Sequence, residues 1–152
     1  MKKLNLFILT LVCIFATACS SQKSSSTASE NQKIEFVRDE VWQLTAIQGN
    51  EVKYVEGQDP VTIQINTEAQ TINGNSGCNT YFGDFTYTSD KNNAGTIKFD
   101  HVGATRMACP EPMMRLEDKY LPLLNRVDGF QLTASKLTLM QGEKALLEYA
   151  KQ

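Results

Sequence analysis

Reactive side chains are scarce in this chain: four cysteines and one histidine stand among 152 residues. His101 is the sole side chain whose ordinary pKa lies near neutrality, so an acid–base mechanism centred there would rest on it alone. It closes a strand-like stretch with no supporting cue in the sequence around it, and reads as a structural or surface residue. Gly74-Asn75-Ser76-Gly77 comes close to a nucleophile elbow, but G-x-S-x-G fails because Cys78 stands where the second glycine belongs. Asp90 to Gly95 (DKNNAG) opens like a calcium loop apart from Ala94. His101 then falls where such a loop needs a closing bidentate Glu, so a hairpin turn is the better reading. No P-loop, HExxH or GxGxxG pattern occurs. The expectation is a protein without catalytic residues, metal or cofactor.

What the cysteines can do depends on where the chain works, and the N-terminus speaks to that. Met1-Lys2-Lys3 supplies positive charge, and Leu4 to Ala18 is a 15-residue stretch whose polar members are Asn5, Thr10 and Thr17. Small residues follow, which is the order of a secretory signal peptide. The stretch is shorter than the roughly 20 residues that span a bilayer as a helix. Ala16-Thr17-Ala18-Cys19 resembles the lipobox of bacterial lipoproteins, with Ala16 where Leu is usual. That resemblance implies that residues 1–18 are a lipoprotein signal peptide, cut before Cys19, whose sulfur and new amino group are then acylated. The alternative is a plain secretory signal cut after Ala18 with Cys19 unmodified. Two or more acyl chains hold a protein at a membrane stably, whereas one does so only reversibly. Ser20 after the cysteine, in place of Asp, is similar to lipoproteins sorted to the outer membrane and facing the periplasm, if the source is Gram-negative.

In that setting Cys13 leaves with the signal and Cys19 carries lipid, leaving Cys78 and Cys109 in a compartment that permits disulfides. A single intramolecular bridge is the leading expectation. Two free thiols, or a metal site with His101, are the alternatives; structural zinc sites usually show paired ligands such as C-x₂-C, which are absent here. The bridge would close a loop of 32 residues, for which chain entropy gives about 3.7 kcal/mol.

Processing would leave 134 residues with 13 Lys and Arg against 17 Asp and Glu, a net charge of −4. A mildly acidic module without a basic run makes nucleic acid an unexpected partner. Ser20 to Lys33 (SSQKSSSTASENQK) has no apolar residue larger than alanine and cannot bury enough surface to order itself. Residues 19–33 therefore read as a lipidated flexible tether, roughly 20 Å in root-mean-square span. Residues 34–152 are the folded domain, expected to be monomeric.

Strand periodicity dominates that domain. Val41 to Ile47 and Val61 to Ile65 alternate, and Tyr81 to Thr88 is aromatic and Thr-rich. SDKNNAG (Ser89 to Gly95) is turn chemistry, and Thr96 to Phe99 reads as the return strand. Gly129–Thr133, Lys136–Met140 and Ala145–Tyr149 form a late meander with tight turns at Ala134-Ser135 and Gln141-Gly142. Connections this short require antiparallel pairing. Between them Met113, Leu116, Tyr120, Leu123, Leu124 and Val127 repeat at helical spacing. A helix from about Pro112 to Asn125 is expected, bent or broken near Leu121 by Pro122, with Leu116, Leu123 and Leu124 buried. The class is α+β: a small, antiparallel, curled sheet with one amphipathic helix capping its open end or face.

These segments also carry a family resemblance. Trp42-Gln43-Leu44, Gly74 to Asn79 with Gly77-Cys78-Asn79, Tyr81, Thr105-Arg106-Met107-Ala108-Cys109, Glu117 in the helix and Leu137-Thr138-Leu139 occur in order. Together they resemble the META domain, the family of HslJ-like heat-shock lipoproteins, over about Val41 to Tyr149. The resemblance implies a small antiparallel barrel-like sheet with a helix, in an envelope protein without an established reaction.

Asn73, Gly74, Gly77 and Asn79 enter left-handed conformations cheaply, which suggests a sharp turn presenting Cys78 to Cys109. Arg106 and Met107 would lie close to it once the bridge closed. The expected partner surface is therefore Asn75, Asn79, Arg106 and Met107. Three functions follow from these readings: a non-enzymatic, membrane-anchored module that binds or stabilises an envelope component under stress; a carrier of a small apolar ligand; or an inhibitor of a periplasmic enzyme.

Overall fold

Alternating side chains in nine strands, with one helix, build the domain among the described residues. The computed structural model describes residues 40–90 and 92–152; the expected signal peptide, Cys19 and the tether lie outside the described residues. The strands are β1 (Val41–Ile47), β2 (Asn50–Glu51), β3 (Thr62–Asn66), β4 (Thr71–Asn75), β5 (Thr80–Ser89) and β6 (Ala94–Ala104). Helix α1 (Glu111–Leu124) follows, then β7 (Gly129–Leu132), β8 (Lys136–Gln141) and β9 (Lys144–Lys151). All pairings are antiparallel, in the order β1-β3-β4-β5-β6-β7-β8-β9, and β9 pairs back with β1. The result is a closed eight-stranded barrel. Strand β2 extends the edge of β1 beyond the point where β3 ends, through Ala46↔Glu51 and Ile47↔Asn50. Closure removes the unpaired edges on which strands of other chains could template.

Each strand directs every second side chain inward. Ile63 and Ile65 of β3, Tyr81 and Phe85 of β5, and Leu137 and Leu139 of β8 are buried, while Phe82, Asp84 and Thr86 between them face solvent. Three bulges reset this phase. Thr45 is the extra residue of β1, and His101-Val102 oppose Gly83 alone in β6. Leu146 is the extra residue of β9, so Leu146 and Leu147 are both fully buried in spite of being adjacent. His101 takes the positive φ of 53° that its bulge demands, leaving its exposed ring 3.2 Å from the Asp84 carboxylate. An eight-stranded barrel has an interior just wide enough to be filled by side chains. Trp42, Phe85, Phe99, Phe130 and the aliphatic residues of β3, β8 and β9 fill this one.

Helix α1 lies across one end. Glu117 ties it to the β4–β5 turn, and Arg126 and Asp128, in the segment just after it, bond to the β8–β9 turn. Tyr120, Leu123 and Leu124 are buried.

Several expectations need correction. Strand β4 was not foreseen, and β6 runs to Ala104 where Thr96–Phe99 was expected. The helix starts at Glu111 and continues through Pro122 without a break. Pro122 and Asp118 are both exposed, so the backbone bond that Pro122 cannot make to Asp118 is missing at the surface, where its loss costs little. Leu116 is half-buried on a flank of the helix instead of in the core. The hairpin expected for DKNNAG is present: the segment belongs to the β5–β6 connection, where Asp90 accepts from the backbone N–H groups of Asn92 (2.7 Å) and Ala94 (3.1 Å).

Candidate functional site

The β4–β5 turn is held by one carboxylate. Gly77 has φ 108°, a left-handed conformation that side chains resist, and it swings the chain so that Cys78 and Asn79 point inward. Asn75 Oδ1 accepts from the Gly77 N–H at 2.6 Å. Glu117, arriving from α1, then accepts from the Asn79 N–H (2.9 Å) and the Asn79 side-chain amide (2.8 Å), with the Ser76 hydroxyl in contact as well. Asn79 Oδ1 accepts from the Thr105 hydroxyl (2.9 Å) and the Met107 N–H (2.7 Å), and its carbonyl accepts from the Ser76 N–H at 2.8 Å. Every polar atom of Asn79 is thereby used inside the protein. The Cys78–Cys109 disulfide, with Cα atoms 5.8 Å apart, ties the same turn to the entrance of α1.

This geometry divides the expected partner surface. Arg106 and Met107 are exposed, Met107 by 59%. Asn75 is half-buried and braces the turn, and Asn79 is only 3% exposed, so Asn79 cannot meet a partner. Of the four residues expected to adopt left-handed backbone, only Gly77 does. Gly74 serves a different need: a Cβ there would lie 2.0 Å from the Thr62 carbonyl oxygen, so only glycine lets β3 and β4 pair at this point. Glu117 was visible in the sequence only as part of a pattern. The available signal was its position on the face of α1 shared with Met113, Tyr120 and Leu124, where a carboxylate requires donors.

Beneath the turn runs a chain of phenols. The Tyr81 hydroxyl donates to the Thr62 carbonyl (2.9 Å), Tyr120 lies 2.7 Å from Tyr81, and Tyr149 donates to Tyr120 at 3.0 Å. Each hydroxyl has one proton, so the chain is directed: Tyr149 to Tyr120 to Tyr81 to Thr62. Burial pushes all three phenols well above their ordinary range, and pushes the part-buried Tyr54, bonded to the Leu44 carbonyl at 2.7 Å, up to about 12. The three linked phenols are closed to solvent and build the core.

The outer flank of α1 is different. Pro112, Arg115, Leu116, Lys119, Leu123 and Arg126 recur at steps of three, one, three, four and three, a helical face distinct from that of Glu117 and Tyr120. They face Ile47, Val52, Lys53, Val55 and Gln58, beside β2, across an open groove of about 720 Å³. Its floor is apolar, and its rim carries Lys53, Arg115, Lys119 and Arg126 against Glu51. Arg115 pairs with Glu111 at 3.0 Å, and Arg126 donates to Gln141 at 2.9 Å. Lys53 and Lys119 make neither a hydrogen bond nor an ion pair among the described residues. Gln58 Oε1 accepts from the Val55 N–H at 3.2 Å, but its buried Nε2 has no partner among the described residues.

Two solved structures share the fold. An NMR structure of a protein from Burkholderia xenovorans is 28% identical, with a TM-score of 0.57, covering 76% of this chain and 83% of its own. A second protein, also solved by NMR, is 24% identical with a TM-score of 0.52, covering 75% of this chain and 91% of its own, and supports the fold alone. Comparison with curated proteins returned no match. The family comparison matches residues 34–152 to the META domain. The G-C-N turn, the segment before Cys109, the Glu117 carboxylate and the Leu137–Leu139 strand that carried the resemblance thus come together in one folded unit, and the chain belongs to the META domain family.

Proposed function

We propose that this chain is a non-enzymatic binding module of the bacterial cell envelope, held at the membrane by lipid on Cys19 and meeting an envelope component along the outer flank of α1. One observation carries the choice of surface: the barrel interior is filled. Trp42, Phe85, Tyr81, Tyr120 and Tyr149 are each no more than 2% exposed and occupy the space where a carried apolar ligand would have to sit. That weighs against the carrier, which needs an enclosed apolar cavity of about 300 Å³ or more. A partner must then be met from outside. The disulfide-linked turn offers Arg106 and Met107, but its remaining polar groups are already bonded to one another. The groove beside α1 offers open polar groups and apolar side chains together.

The test uses the full chain in cells, with a photo-reactive residue replacing Lys119 in the groove or Ser135 in the β7–β8 turn. The reading expects one discrete crosslinked adduct from position 119, none from 135, and loss of the adduct in Cys19→Ala. Equal adducts from both positions, or an adduct indifferent to Cys19→Ala, would remove the groove or the anchor respectively.

A further inference from the structure

We infer that the occupant of the groove is a short, extended, acidic segment of a partner protein, its carboxylates against Lys53 and Lys119 and one of its carbonyl oxygens on Gln58 Nε2. The inference rests on the groove being the docking surface and adds the chemistry of what docks.

Three independent features of the groove must be satisfied together. The first is charge. The chain as a whole has more acids than bases, 17 against 15, yet the groove is lined by four cations and one acid, Glu51. Arg115 and Arg126 are held in place by Glu111 and Gln141. Lys53 and Lys119 stand on opposite walls, one on the segment after β2 and one on α1, without partners among the described residues. A ligand between them is flanked by cations on both sides. The second is the apolar floor of Val52, Leu116 and Leu123, which suits an aliphatic side chain. The third is Gln58 Nε2, a buried donor without an acceptor. The atom is closed to solvent, on the side of Gly77, so an incoming oxygen meets it only once the Gln58 side chain turns toward the groove; leaving such a donor unmet costs free energy that the new bond recovers.

A free anion would answer the lysines and leave the floor wet. An acyl chain would cover the floor and leave the Gln58 donor unmet. An extended peptide with alternating acidic and aliphatic residues presents side chains on two faces and a carbonyl at every residue, and so answers all three.

The probe is a fluorescein-labelled hexapeptide, Leu-Glu-Val-Glu-Leu-Glu, titrated against the full chain in detergent and followed by anisotropy. Matched peptides with Gln or Lys in place of Glu, and decanoate as competitor, complete the set. The acidic peptide should bind most tightly and should weaken as salt rises. The double variant Lys53→Glu/Lys119→Glu should weaken it by about tenfold, and Gln58→Leu by several-fold, while Lys98→Glu on the outer wall of β6 should not. Trp42 fluorescence during urea unfolding must show each variant folded as stably as the parent. Binding of the Gln or Lys peptide with equal affinity, still lost on groove substitution, would overturn the acidic occupant and leave the docking surface standing. Displacement of the peptide by decanoate at lower concentration than its Gln counterpart would make an amphiphile the occupant and overturn the peptide. Absence of binding by any peptide, or binding untouched by the double variant, would end this proposal; the crosslink from position 119 would then decide by itself whether the surface docks anything.

Discussion

Glu117 and Lys119 stand two residues apart on α1, yet their surroundings have nothing in common. The Glu117 carboxylate is enclosed by the Ser76 hydroxyl, the Asn79 N–H and the Asn79 amide, beside a disulfide and above a buried chain of phenols. Lys119 lines an open groove with an apolar floor. A helix crossing the mouth of a barrel cannot turn every side to the core. The face toward the barrel must satisfy each polar atom it buries, because water cannot replace a missing partner there. The face away from it is free to keep groups unmatched. The same 14-residue helix therefore turns one side to the core and leaves the other open to solvent.

The buried side should yield the largest effects, beginning with pH. The folded pKa values of Tyr81, Tyr120 and Tyr149 are raised by burial, while the unfolded chain titrates near the ordinary value of about 10. A raised folded pKa contributes stability that is complete below the unfolded value and is lost as pH climbs from there toward the folded one. Above about pH 10 the unfolding free energy from urea titration should fall, with a slope approaching about 1.4 kcal/mol per pH unit for each phenol, or about 4 kcal/mol for three. A flat profile between pH 9 and 11 would show the phenols to be solvated. Opening the disulfide comes next: Cys109→Ala should cost about 2–4 kcal/mol in equilibrium unfolding, and unchanged stability would mean that Glu117 alone holds the turn to the helix. Tyr120→Phe, which leaves the Tyr149 donor without its acceptor, should cost about 1–3 kcal/mol; a neutral result would show that the phenol chain packs without depending on its hydrogen bonds.

Much of the buried side was legible in the sequence, and little of the open one. Alternation in Val61 to Ile65 and Tyr81 to Thr88 directly encodes β3 and β5, since period two is what a half-buried strand requires. The cysteine count pointed to the bridge. Strand β4 escaped because Asn73, Gly74 and Asn75 are poor strand formers; tertiary packing overrides that preference, with Gly74 allowing the Thr62 backbone to approach. Asn79 looked like a turn residue for solvent and is instead buried, because no local pattern reveals that a helix 38 residues later supplies its carboxylate. Tyr81, Tyr120 and Tyr149 sit in separate elements, and only barrel closure brings their hydroxyls into line. The groove has no sequence signature: its wall exists only once α1 lies beside the segment after β2.

The division of α1 into a face that builds the core and a face proposed to dock a partner is tested most directly by the same substitution at both positions. Urea unfolding of Glu117→Gln and Lys119→Gln, followed by the fluorescence of Trp42, compares two changes to one amide-bearing side chain, made two residues apart. The account predicts that Glu117→Gln loses about 2–3 kcal/mol, because a single amide oxygen cannot accept what two carboxylate oxygens did and its NH₂ meets donors. It predicts that Lys119→Gln changes stability by less than about 0.5 kcal/mol. Equal losses at the two positions would contradict it, showing that both faces of the helix serve the fold and leaving the groove without a separate role.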